Sequence, residues 1–255
     1  MTIDEAWFRE RAEELKAAIL FLTRLRYGPA MPVGGGAIAR ATWAFPVAGI
    51  LVGLIAALVY AFASRAGLPP WPAALLAVAA TMAATGCLHE DGLADTVDGF
   101  GGGSIRKLKL DIMRDSRIGT YGVCALVLSI LLRVSALASL GRPGLVAAAL
   151  IAAHAAARAV LPAFMYVVPP ARNDGLSASA AAPPREAVAA AAVLGVLILL
   201  VCLGVLAAIV ALILLCVAAA LFAWLTLAQI DGQTGDVLGA AEQVSEIVIL
   251  LVALG

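Results

Sequence analysis

Residues 208–228 read AIVALILLCVAAALFAWLTLA, an apolar run without a single charge. A helix needs about 20 such residues to cross the hydrocarbon core of a bilayer, whereas the strands of a membrane barrel alternate in polarity. The whole chain of 255 residues is 63% hydrophobic and 13% charged, while soluble domains are about half apolar and a quarter charged. The run and the composition together predict an all-α, polytopic membrane protein.

Similar runs recur along the chain and predict a single membrane-embedded bundle, over 1–255, of six or seven transmembrane helices. The predicted spans are 41–63, 71–88, 119–141, 145–167, 186–206, 208–228 and a shorter end, 244–254, which extends a helix from near Val237. Residues 1–27 mix charges with Trp7 and Leu15 at helical spacing and predict an amphipathic helix at the interface, whose second half reaches lipid. The polar segments between spans are 89–118, 168–185 and 229–243.

The placement of basic residues indicates an orientation. If the N-terminus is cytoplasmic, thirteen of the 17 Lys and Arg residues lie on that side, and only Arg65 and Arg142 lie in loops on the other. Because Lys and Arg are enriched in cytoplasmic loops, this split predicts a multi-pass membrane protein with its N-terminus and polar segments in the cytoplasm. The net charge is zero, and we expect a lipid bilayer and no nucleic acid as partner; a homo-oligomer is left open.

The first polar segment begins with HEDGLADTVDGFGGG, residues 89–103. Asp91, Asp95 and Asp98 are spaced i, i+4, i+7, so they share one helix face if the preceding span continues as a helix. Stacked carboxylates repel one another, and a divalent cation relieves the repulsion; oxygen ligands suit Mg²⁺. The spacing favours a Mg²⁺ site, and the alternative is a solvated helix end screened by neighbouring Arg residues.

A second pair of acids, Asp111 and Asp115, follows in LDIMRDSRIGTYG on the expected lead-in to the next span. The order D-x-x-D-G, then D-x-x-x-D, resembles part of the signature of the CDP-alcohol phosphotransferases, in which clustered acids hold a divalent metal. Phe100 and Gly101 replace the Ala-Arg pair of that family. From that family we therefore take only one expectation, that clustered carboxylates hold a metal on a diphosphate substrate.

Basic residues accompany these acids: Arg106, Lys107, Lys109, Arg114 and Arg117. Arg114 and Arg117 lie inside the acidic motif, and their planar guanidinium groups suit phosphate oxygens. An enzyme that cleaves a diphosphate needs such cations, because negative charge spreads over the phosphate oxygens in the transition state. Lys107 and Lys109 serve either this purpose or attachment to anionic lipid.

The third polar segment, 229–243, contains Asp231, Gln233, Asp236 and Glu242 but no Lys or Arg. Acids without basic partners suggest metal ligation or binding of nucleoside hydroxyls.

His154 and Arg158 are spaced i, i+4 within a span, where functional and purely structural roles are both open. His89, next to Glu90, is either a polar residue at a helix end or a proton carrier.

Three motifs in order resemble the cobalamin synthase family, the adenosylcobinamide-GDP ribazoletransferases. They are LHEDGLADTVDGF, DIMRDSRIGTYG and GQTGDVLGAAEQ. The resemblance covers about 21–251 and implies a Mg²⁺-dependent reaction. That reaction joins adenosylcobinamide-GDP to α-ribazole, or to its 5′-phosphate, and releases GMP.

The resemblance also implies roles. Asp91, Asp95, Asp98 and Asp115, supported by Asp111, hold Mg²⁺ on the diphosphate, and Asp115 or Asp95 accepts the proton of the attacking hydroxyl. Arg114 and Arg117 stabilise phosphate oxygens. The further candidate binding residues are His89, Glu90, Arg158, Gln233, Asp236 and Glu242.

Two other interpretations remain at this point. One is a lipid head-group enzyme similar to the CDP-alcohol phosphotransferases. The other is a membrane protein that binds or transports corrinoids without catalysis.

Overall fold

The structure is a computed structural model that describes residues 3–25, 35–172 and 182–255. Within these ranges the chain is helical, and an isolated β-bridge joins Pro170 to Gln233. The helices are α1 (Ile3–Leu22), α2 (Gly35–Ala41), α3 (Phe45–Arg65), α4 (Pro70–Thr85), α5 (Leu88–Gly102), α6 (Arg106–Ile112), α7 (Thr120–Leu140), α8 (Pro143–Val167), α9 (Arg185–Leu203), α10 (Val205–Ile230) and α11 (Gly235–Val252). The predicted all-α membrane fold is confirmed.

Five stretches of the described chain are long and apolar enough to cross a membrane. They are Gly36–Arg65, which contains α3, and the helices α7, α8, α9 and α10. The pair α4 and α5 forms a sixth candidate that is bent at its centre. α11 packs inside the bundle against α5 and α8, and its three acids explain why composition alone does not mark it as a span.

The break between α4 and α5 contradicts the expectation that the span continues into the acidic segment. The two helix axes meet at 89°. Gly86 and Cys87 both have left-handed backbone conformations, with φ of 67° and 58°, which end α4 and start α5 in a new direction. Gly86 also lies directly against the side chain of Arg24, so a larger residue has no room. α5 therefore runs nearly perpendicular to α4, and segment 89–118 is mostly helix.

Close packing of α3 on α8 forms the centre of the bundle. Gly49 and Gly53 are four residues apart on α3, and a Cβ atom at Gly53 would come within 2.8 Å of the Ile151 Cα atom. Small residues at this spacing let the backbones of membrane helices approach closely. α8 contributes many buried alanines to the same contact.

α1 forms the predicted N-terminal helix. Trp7 and Phe8 are exposed, whereas Ala17, Ala18 and Leu22 are buried in contact with α2 and α3. One face of the second half of α1 thus packs on the protein.

The polar segments meet at one end of the bundle, which we call the polar end. There the Arg106 side chain donates to the carbonyl of Ile230 at 2.9 Å, and the Ala171 amide donates to the carbonyl of Gln233 at 2.8 Å. Half of the predicted loop 168–185, residues 173–181, lies outside the described residues. Because three separate polar segments converge here, the polar end is where a site can be assembled.

Candidate functional site

The acidic face of α5 is the first component of the site. Asp91 is exposed, Asp95 is half-buried and Asp98 is buried, because the helix packs against α7 and α11. The three carboxylates lie on one helix as predicted, but on α5 alone and not on a continuation of α4.

Asp98 is held by the start of α7. Its two carboxylate oxygens accept from the Gly119 amide at 2.7 Å and from the Gly122 amide at 2.9 Å. Free amides and the helix dipole both favour a negative charge at a helix N-terminus. A side chain at Gly119 or Gly122 would collide with this carboxylate. Asp98 therefore joins α5 to α7, and its metal role stays a prediction.

Asp236, on α11, lies near Asp91 and Asp95 of α5 and completes the acidic group of the site. A Cβ atom at Gly92 would lie 2.6 Å from the Asp236 carbonyl oxygen, so α5 and α11 are in backbone contact beside Asp91 and Asp95. The pKa of Asp95 is raised to about 7, first by burial and then by the carboxylates of Asp91, Asp236 and Asp98. Such a group of oxygen ligands fits a divalent cation, which removes the repulsion.

A basic cavity of about 450 Å³ adjoins these acids. Its charged lining residues are Arg106, Lys107, Asp111, Arg114 and Arg172. Arg106 also contacts Asp231 at 3.0 Å. Arg172 lies 3.4 Å from the Asp236 carboxylate, so one guanidinium group joins the cavity to the acidic group. The cavity is suited to phosphate groups.

Asp111 lies in α6, whereas Asp115 follows after that helix has ended at Ile112. The partly exposed Asp115 carboxylate binds Arg117, with 2.5 Å between Oδ2 and Nη2. This hydrogen bond lowers the pKa of Asp115 to about 2. In this arrangement Asp115 and Arg117 neutralise each other, and their catalytic roles stay predictions.

Four predicted site residues, His89, Glu90, Arg158 and Glu242, lie instead inside the bundle. Glu242 belongs to the polar segment 229–243 and lies two turns into α11, because that helix begins at Gly235, close to the start predicted near Val237. Arg158 binds Glu242 at 2.5 Å. Gln233 is also buried, and its backbone forms the bridge to 169–171.

These residues belong to an interior network that sequence reasoning only partly identified. Arg133 binds Glu90 at 3.1 Å and Glu246 at 3.4 Å, and His154 lies 3.5 Å from Glu246. Arg133 and His154 are ionisable residues within the predicted spans 119–141 and 145–167, whereas the sequence analysis did not identify Glu246. The spacing of Glu242 and Glu246, one helical turn apart, is the signal that could have revealed it.

Among the described residues, His154, Glu242 and Glu246 are the group whose possible ligand atoms already lie within 4.8 Å of one another. Arg158 and Arg133 already neutralise these carboxylates, so we do not assign a metal there. The acids of α5 and α11 are spread more widely. That spacing suits Mg²⁺, which usually keeps several waters and also binds substrate phosphates.

The fold and the site define a polytopic helical membrane protein with adjacent acidic and basic groups at one end of its bundle. Residues 14–254 match the family described as cobalamin-5-phosphate synthase. The match covers nearly the whole chain, and the chain belongs to this family.

Curated relatives agree with the family match. The chain is 62% identical over 240 residues to an adenosylcobinamide-GDP ribazoletransferase of Bradyrhizobium diazoefficiens, covering 94% of this chain and 92% of the relative. It is 56% identical over 245 residues to the protein of the same name in Mesorhizobium japonicum, covering 96% and 94%. No solved structure matches the chain.

Proposed function

We propose that this protein is an adenosylcobinamide-GDP ribazoletransferase that depends on Mg²⁺. A ribose hydroxyl of α-ribazole, or of its 5′-phosphate, attacks the diphosphate phosphorus nearer the cobinamide. A new phosphodiester bond forms, the bond to GMP breaks, and GMP leaves. The observation that carries the proposal is the acidic group of Asp91, Asp95 and Asp236 beside a basic cavity.

Each part of the polar end has a role in this proposal. Asp91, Asp95 and Asp236 would hold the cation, which supplies charge neutralisation on the diphosphate. Arg106, Lys107, Arg114 and Arg172 bind phosphate oxygens from the basic cavity. Asp95, between the other two carboxylates, accepts the proton of the attacking hydroxyl. Positioning and charge stabilisation supply most of the catalysis in such reactions.

The proposed location follows from the distribution of Lys and Arg. The basic cavity and thirteen of the 17 basic residues belong to segments that the positive-inside rule assigns to the cytoplasm. We place the polar end at the cytoplasmic face of a bacterial inner membrane, where soluble nucleotides are available.

Substitution of the acids tests the metal site. In purified protein, Asp95→Asn and Asp236→Asn should each lower GMP release about 100-fold, because the loss of roughly 3 kcal/mol of transition-state stabilisation corresponds to two powers of ten. Glu186→Gln, an exposed change at the start of α9, is the matched control. Near-normal rates at saturating Mg²⁺ in both Asn variants would refute the metal assignment.

Substrate comparison tests the activity itself. Wild-type protein should release GMP from the corrinoid substrate and no CMP from CDP-diacylglycerol. Release of CMP would instead support a lipid head-group enzyme. Corrinoid binding without turnover, and without dependence on Mg²⁺, would indicate a non-catalytic binding protein.

A further inference from the structure

A second, largely apolar cavity of about 240 Å³ lies beside the acidic group. Phe21 and Phe45 form one wall, with rings stacked at a centroid distance of 6.0 Å and an angle of 19°. Leu161 and Met165 of α8 are also part of the lining, and Asp91 adjoins them. Because Asp91 is exposed, this cavity borders the solvent-facing acidic site.

One polar side chain in the cavity lining has an unsatisfied atom. His89 is 3% exposed, and its Nδ1 atom lies 3.3 Å from the Arg158 guanidinium. Arginine only donates, so this contact assigns Nδ1 as the acceptor and, in a neutral ring, the proton to Nε2. The Glu242 carboxylate, 3.7 Å from Nδ1, is too distant to accept a hydrogen bond from it. Within the described part of the chain, Nε2 is buried without a hydrogen-bond partner. A buried donor without a partner is unfavourable, and a ligand acceptor would satisfy it.

We infer that this cavity binds the base of the ribazole substrate. The inference rests on the proposed function and names the subsite that would determine its nucleoside specificity. A drug-sized ligand needs about 300–1,000 Å³, so the cavity accepts only a fragment such as a flat bicyclic base. Aromatic walls favour stacking with such a base.

The two substrates carry different bases, the benzimidazole of ribazole and the guanine of adenosylcobinamide-GDP, and the polarity of the cavity favours one of them. The benzimidazole of ribazole has apolar edges and one free ring nitrogen, which accepts from the Nε2–H of His89. Guanine carries several acceptors as well as donors along its edge. Asp91 and Asp236 in the lining can accept but not donate, so most of the guanine acceptors would face Phe and Leu side chains and stay unpaired. We therefore place the ribazole base here, with its ribose directed to Asp91, and leave the basic cavity to the phosphates of the other substrate.

Ligand analogues test the contact with His89. Wild-type protein should bind benzimidazole riboside several-fold more tightly than indole riboside, in which C–H replaces the free nitrogen, because one neutral hydrogen bond is lost. His89→Leu should reduce this ratio to about one. Binding is measured by quenching of ligand fluorescence, without turnover. Because both ligands are measured on the same protein, any loss of folded protein in the variant affects both affinities equally and cancels in their ratio. Equal binding of both ligands by wild-type protein would refute the inference.

Narrowing of the cavity is an independent test. Leu161→Phe or Met165→Phe should raise the KM for α-ribazole about tenfold and leave the KM for adenosylcobinamide-GDP unchanged. Val167→Phe, an exposed position on the same helix, is the matched control and should change neither. Equal effects on both KM values, or none, would show that the cavity is an ordinary gap in packing or a lipid site.

The two proposals fail in different ways. Wild-type protein that releases no GMP refutes the proposed function, and the binding ratio above is still measurable. Normal turnover with an unchanged KM in the narrowed variants refutes the base subsite alone.

Discussion

At the scale of single residues, Asp98 shows how a carboxylate in a predicted metal motif can have a structural task. The spacing of Asp91, Asp95 and Asp98 predicted one ligand group, and the structure does place all three on α5. The amides of Gly119 and Gly122, however, bind Asp98. These partners come more than 20 residues later in the chain, so helical periodicity could not reveal them.

Asp95 leads to a prediction about pH in metal-free protein. Its pKa is about 7 in the folded state because of burial and of the carboxylates of Asp91, Asp236 and Asp98, which Arg172 only partly offsets. The folded state thus holds this proton more tightly than the unfolded state. Its contribution to the free energy of unfolding should be complete below about pH 4 and lost as the pH rises through about 7.

Thermal unfolding in detergent, with chelator and across that pH range, measures this effect. Asp95→Asn should remove this part of the pH dependence, and added Mg²⁺ should restore wild-type stability near neutral pH. An identical pH profile in wild type and variant would contradict the prediction.

At the scale of elements, the apolar runs predicted most helices but not their relative directions. The bend after α4 depends on the left-handed conformations of Gly86 and Cys87. Many glycines can adopt a left-handed conformation but do not, and a cysteine rarely adopts one, so neither residue predicts the bend. The hydrophobicity of a segment predicts whether it is buried in lipid or protein. The angle between two helices depends instead on contacts such as that of Arg24 with Gly86.

The contact between α3 and α8 leads to a prediction about packing. Gly53→Val should lower the free energy of unfolding by about 1–3 kcal/mol, because the added atoms would overlap the backbone of Ile151. Gly144→Val, at a glycine on α8 with open space around it, should change stability little. Thermal unfolding of the two variants in detergent measures the difference, and equal losses would show that α3 and α8 can separate without penalty.

At the scale of the whole molecule, the interior network links α5, α7, α8 and α11. Sequence analysis identified Arg158 within a span and Glu242 in the polar segment 229–243 but did not pair them. Their pairing joins positions that are far apart in the chain, and a single sequence does not contain that information. The neighbouring acids of α5 and α11 were both predicted as site residues, yet their contact through Gly92 became visible only in three dimensions.

This network predicts strong coupling between its members. Arg158→Leu should destabilise the protein by about 3–5 kcal/mol, because it leaves the carboxylate of Glu242 buried without its cation. The double variant with Glu242→Gln should recover part of that loss, since no buried charge remains unpaired. Arg65→Leu, an exposed change at the opposite end, serves as control. Additive losses in the double variant, measured by unfolding in detergent, would rule out the coupling.

The same pairing has a consequence for how the protein is made. A ribosome synthesises α8 long before α11, so Arg158 enters the membrane while Glu242 does not yet exist. An unpaired arginine at the centre of a membrane helix is unfavourable by about 2.5–3.5 kcal/mol. α9 and α10 must also be synthesised before the partner emerges. The synthesis of α11 therefore supplies the carboxylate that neutralises Arg158 and completes this charge pair inside the bundle.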